Sequence, residues 1–155
     1  MGEPFLHPKL GRFLEISHDN GLRVNVTTNG VLINEVKNVL IASPALRQLN
    51  ISLSSVEAND NLQGLNRYLN NVVNFVLEAS DRSNIICSLR LWNMDSEQLK
   101  GNNEANADIL KILETKLGLD FSLSETLQVS DSIKLRNNET NRTSKGQLQR
   151  HLRKG

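Results

Sequence analysis

The feature that most constrains this chain is a hydrophobic period that changes repeatedly along it. Short runs rich in strand-forming residues alternate with longer stretches that carry helical stripes. Residues 22–27 (Leu-Arg-Val-Asn-Val-Thr) place apolar side chains at alternate positions, and Leu49-Asn50-Ile51-Ser52-Leu53 does the same. Residues 84–91 form the most apolar run. Before the first run, Leu10, Phe13 and Leu14, with His18, mark a helix whose first turn accommodates Pro8 and which Gly21 stops. Residues 34–42 read as a short helix. Leu65, Tyr68, Leu69, Val72, Val73, Phe75, Val76 and Leu77 mark a longer one with a wide apolar face. Ile109, Leu110, Ile112, Leu113 and Leu117 mark the last. Strands separated by helices predict βα units and a parallel sheet with right-handed crossovers.

Three strands cannot close a barrel that needs eight. The fold class expected is therefore α/β, an incomplete (βα) partial TIM-like barrel of three parallel strands with flanking helices. The turn Gly2-Glu3-Pro4 sharpens this. Turns of that kind follow a strand, yet one residue precedes it, so the chain is expected to open on the exit from a strand that is missing. An edge strand and one apolar sheet face should then be exposed, which favours self-association or a complementing N-terminal chain.

Charge divides the chain in two. Residues 1–133 carry 11 Lys/Arg against 16 Asp/Glu, a net of −5, and are read as one partial core domain. Residues 134–155 carry seven basic residues against Glu139, show no periodicity and are expected to be a basic, disordered tail. The acidic body gives no reason to expect a nucleic-acid partner. Neither a signal peptide nor an apolar stretch of 18 residues occurs, so a cytoplasmic protein without a membrane partner is expected. Cys87 is the single cysteine, within Ile85-Ile86-Cys87-Ser88-Leu89, and reads as a buried structural thiol.

In parallel α/β proteins ligands gather beyond the carboxyl ends of the strands. Four segments map there: Gly2-Glu3-Pro4, Thr28-Asn29-Gly30, Ser52-Leu53-Ser54-Ser55 and Arg90-Leu91-Trp92-Asn93-Met94-Asp95. They offer a carboxylate, an amide, hydroxyls and a guanidinium, a set suited to a zwitterionic or ribose-bearing ligand. Each has a plainer reading. Glu3 lies near a terminus, Asn29-Gly30 is a common turn, and Ser52 and Ser54 share one face where they could satisfy backbone groups. Arg90, between two leucines in an apolar strand, needs a partner if it points inward. His7 could cap the helix that follows it. No carboxylate pair, nucleophile triad or phosphate-binding glycine loop is present.

In this order and spacing, Gly2-Glu3-Pro4-Phe5-Leu6-His7-Pro8-Lys9-Leu10, then residues 21–30 ending Val-Thr-Thr-Asn-Gly, then Ile51-Ser52-Leu53-Ser54, resemble the core of a radical S-adenosylmethionine (radical SAM) enzyme. Leu89-Arg90-Leu91-Trp92-Asn93 is similar to members of the branch that often carries a SPASM-type cluster domain. The resemblance covers about residues 2–120. It implies an enzyme in which a CxxxCxxC loop holds a 4Fe-4S cluster that reductively cleaves SAM to a 5′-deoxyadenosyl radical. It further implies that Gly2, Glu3 and Pro4 bind the methionine amino group, that Asn29 with Ser52 or Ser54 lies near the ribose and carboxylate, and that Arg90 meets the carboxylate or an unknown substrate. The chain departs from that pattern at the cluster: it has no CxxxCxxC, so the 4Fe-4S group is not expected to bind it. The expectation is a fragment inactive by itself, or alternatively a non-catalytic or partner-dependent protein that keeps a remnant SAM-like site.

Overall fold

The computed structural model describes residues 2–53, 62–91, 100–129, 132–135 and 150–154. A 3-10 turn, Pro4–Leu6, leads into helix α1 (Leu10–Asp19), strand β1 (Val24–Thr28), helix α2 (Ile33–Ala42) and strand β2 (Leu46–Ser52). Helix α3 (Leu62–Arg82), strand β3 (Ile86–Leu91) and helix α4 (Lys100–Leu117) follow. The chain continues through helix α5 (Leu123–Val129) and strands β4 (Ser132–Leu135) and β5 (Arg150–Lys154).

Local chemistry explains the ends of α1. The His7 ring Nδ1 accepts from the Lys9 amide at 3.1 Å, so the helix starts after Pro8 instead of on it. At the other end Gly21 takes φ +69°, and Gly21 and Leu22 donate to His18 and Ser17 at 2.9 and 2.8 Å. This paired closure needs a left-handed residue after the cap, and glycine supplies it without steric cost.

Strands β1, β2 and β3 form the expected parallel sheet, with β1 at its edge. The register pairs Thr27 with Asn50 and Asn50 with Ser88, then Thr28 with Ile51 and Ile51 with Leu89. The two faces therefore differ. One carries Val26, Thr28, Leu49, Ile51, Cys87, Leu89 and Leu91, all buried. Helix α3 lies on this side, since a Cβ on Gly30 would sit 2.8 Å from Ile51 and 3.5 Å from Val72. Helices α2 and α4 pack against α3, and Gly11 of α1 faces Val39 of α2, so the helices form one layer. Leu69, Val72, Val73, Phe75 and Val76 fill the space between layer and sheet. Each fully buried large side chain contributes about 1.5–3 kcal/mol.

The opposite face is mainly polar, with the half-buried Ile86 beside Gln48. Asn25, Thr27, Gln48, Asn50, Ser52, Ser88 and Arg90 alternate onto it. That corrects the expectation of an exposed apolar sheet face. A sheet wound in one direction places its right-handed crossovers on one side, and here the other side has polar residues at alternate positions.

The C-terminal region also departs from expectation. Arg150–Lys154 pairs in parallel with β3, and Ser132–Leu135 pairs antiparallel with β5, giving the order β1-β2-β3-β5-β4. A basic run without periodicity was expected to be structureless. Its strand forms by pairing with the edge of β3, a long-range interaction that local composition does not encode. Residues 136–149 of the expected tail lie outside the described residues.

Candidate functional site

The strand ends expected to bind a ligand resolve into two groups. The first is a junction at the end of β1. Glu3 Oε1 accepts from the Phe5 amide at 3.1 Å and the Thr28 hydroxyl at 2.6 Å, and Glu3 Oε2 accepts from the Asn29 amide at 2.9 Å. Thr28 is buried on the helix side of the sheet, and its Oγ1 also accepts from the Gly30 amide at 3.0 Å. The carboxylate thus straps the Gly2-Glu3-Pro4 turn to the end of β1. A carboxylate has about four acceptor positions, and three are occupied. Gly2 is exposed, and Pro4 opens the 3-10 turn.

Asn29 is committed on both sides. Its Oδ1 accepts from the Val31 amide at 2.9 Å, the local side-chain turn that asparagine favours. Its carbonyl accepts from the Tyr68 hydroxyl at 2.7 Å, and the same hydroxyl lies 3.5 Å from the Ser52 carbonyl. Burial, and next the nearby Glu3 carboxylate, push the Tyr68 phenol well above its ordinary value, so it remains a donor at neutral pH. Tyr68 was legible only as one apolar position on a helical stripe. Its role in joining β1 to β2 leaves no local signal.

The second group lies on the polar face. Ser52 and Arg90 are register partners on β2 and β3, so the structure brings these two expected residues side by side. Gln48 Nε2 donates to Asn50 Oδ1 at 2.7 Å, and Asn50 Nδ2 donates to Thr27 Oγ1 at 3.3 Å. Asn50 and Ser88 are buried polar residues next to this row. Arg90 is half-buried, and its Nε is a buried donor without a hydrogen-bond partner among the described residues. Leaving such a donor unmatched costs about 1–3 kcal/mol, more when it carries charge. The face therefore presents one guanidinium N–H, that of Nε, without an acceptor among the described residues.

Glu3 and Arg90 belong to different groups, Glu3 bound to the helix side at Thr28 and Arg90 on the polar face. Ser54, like Ser55, Trp92, Asn93, Met94 and Asp95, lies outside the described residues. Cys87 is buried on the helix side. Among the described residues, no three His, Cys, Asp or Glu side chains gather in a way that could hold a metal ion, and no helix is long and apolar enough to cross a membrane. The alternation of Gln48, Asn50 and Ser52 was the signal that could have revealed the polar face.

Compared with known proteins, the chain matches no family model, no curated protein and no solved structure.

Proposed function

We propose that this chain is an arc of a (βα) barrel of the radical SAM type, retaining a surface that binds SAM but not the means to cleave it. The observation that carries the reading is the buried, unmatched Nε of Arg90 beside Ser52 at the carboxyl end of a parallel sheet. A ligand carboxylate would supply the missing acceptor, and a fork-shaped guanidinium suits a two-oxygen anion. Ser52 and Arg90 would hold the carboxylate. The Gly2-Glu3-Pro4 turn and Asn29, held on the helix side at Thr28, would not share the amino-acid end of this ligand; they hold the end of β1 beside the Ser52 strand.

The 4Fe-4S group does not fit this chain. Three thiolates are required, and the one cysteine, Cys87, is buried on the far side of the sheet from Arg90. Binding is thus the function assigned to the chain alone. Cleavage would need a partner that brings the cluster.

Calorimetry with SAM and with S-adenosylhomocysteine tests this. Both should bind, since the carboxylate is common to them. Arg90→Ala should weaken binding about tenfold to a hundredfold, the loss of a charge-assisted hydrogen bond, while Arg90→Lys recovers part of it. The absence of heat and of any thermal shift with SAM would remove the case for a nucleotide site. Stoichiometric cluster formation on iron–sulfur reconstitution would overturn the assignment of binding alone.

A further inference from the structure

Helix α1 has an apolar flank that the described fold leaves largely open, touched at Phe13 by the His7 ring, edge-on with centroids 4.9 Å apart. Phe13 and Ile16 are 54% and 42% exposed, and Leu6, on the turn leading into the helix, is 71% exposed. At 100° per residue, Lys9, Phe13, Ile16 and Asn20 fall on one stripe, spaced four, three and four residues apart. Gly11, the residue that meets α2 at Val39, lies well around the helix from that stripe. The buried Leu14 lies on the inner side. Alternating steps of three and four residues make the seam by which two helices pack side by side.

We propose that this flank is the contact between two copies of the chain, with α1 packed antiparallel to α1 of its partner about a two-fold axis between Phe13 and Ile16. The charges select this occupant and this direction. Arg12 and Asp19 lie on the same edge of the stripe, seven residues apart. Antiparallel packing sets Arg12 of each copy near Asp19 of the other, twice by symmetry, whereas parallel packing would set this edge against the uncharged edge of Leu10 and Ser17 and form neither pair. The Arg12–Glu15 pair is exposed on both sides, at 64% and 66%, so Arg12 can turn to the new partner at little cost. Phe13 of one copy meets Ile16 of the other, so the patch complements itself, as a two-fold contact requires. The seam is short, and the dimer it forms is a weak one.

Sedimentation of the full chain over a concentration series should show a monomer–dimer equilibrium. Phe13→Asp should raise the dissociation constant at least roughly tenfold without changing the far-ultraviolet circular dichroism, because the side chain is exposed. Arg12→Asp and Asp19→Arg should each weaken the dimer, and the two combined should restore it, which no purely structural role would do. A Phe13→Cys/Ile16→Cys variant should cross-link to dimers on mild oxidation. A monomer at every concentration overturns the proposal. So does a dimer indifferent to Phe13→Asp and to the charge exchange.

Discussion

At the scale of single residues, the junction around Glu3, Thr28, Asn29 and Tyr68 matters most. The Tyr68 phenol is a donor to the Asn29 carbonyl, and burial and Glu3 both favour its protonated form. Its pKa is higher folded than unfolded, so this contribution is whole below the ordinary phenol value of about 10 and is lost as the pH rises beyond it. Denaturant titrations should show stability falling above that pH. In Tyr68→Phe the alkaline component should be smaller, with a cost at neutral pH of about 1–2 kcal/mol from the unmatched carbonyl. An unchanged alkaline slope in the variant would refute the assignment. Of this junction, the sequence made the turn at Gly30 legible, and Gly30 does take a positive φ. The link from Glu3 to Thr28 spans 25 residues, and no local pattern encodes such a contact.

At the scale of elements, α2 and α3 are clamped by Glu78, which pairs with Lys37 at 3.0 Å across the helices and with Arg82 one turn along its own. Hydrogen bonds from Lys37, then from Arg82, hold the Glu78 carboxyl below its usual range. A depressed pKa gives stability that is present above the unfolded value and lost as the pH falls through the folded one. Glu78→Gln should therefore flatten the acid limb of the pH–stability curve while changing neutral stability little, as exposed pairs do. An acid limb identical to the parent's would contradict this. Helix stripes and their stops were readable because packing repeats every turn. Starts were less so. Strand β2 begins at Leu46, earlier than its alternating core, and α4 begins at Lys100, where polar residues leave no stripe. Helix α5 went unread because Leu123 alone marks its buried side among the residues whose burial is known.

At the scale of the whole molecule, one rule of winding accounts for both faces of the sheet. Successive parallel strands laid in one direction carry their helices on one side, so the opposite side was free to become polar. The α/β class and the three parallel strands were legible from period alone. The addition of β5 beside β3 was not, since its partner lies about sixty residues earlier in the register that joins Ser88 to His151. A chain ending at Gln149 tests that strand. It should melt lower, by about 2–4 °C for each kcal/mol lost, and should aggregate more readily through the bared edge of β3. Equal melting of the two forms would show that β5 contributes nothing. Tyr68 is also the only tyrosine of the chain. Any event that disturbs the seam between the first two strands is therefore written into one chromophore, and ultraviolet difference spectra can follow it without a label.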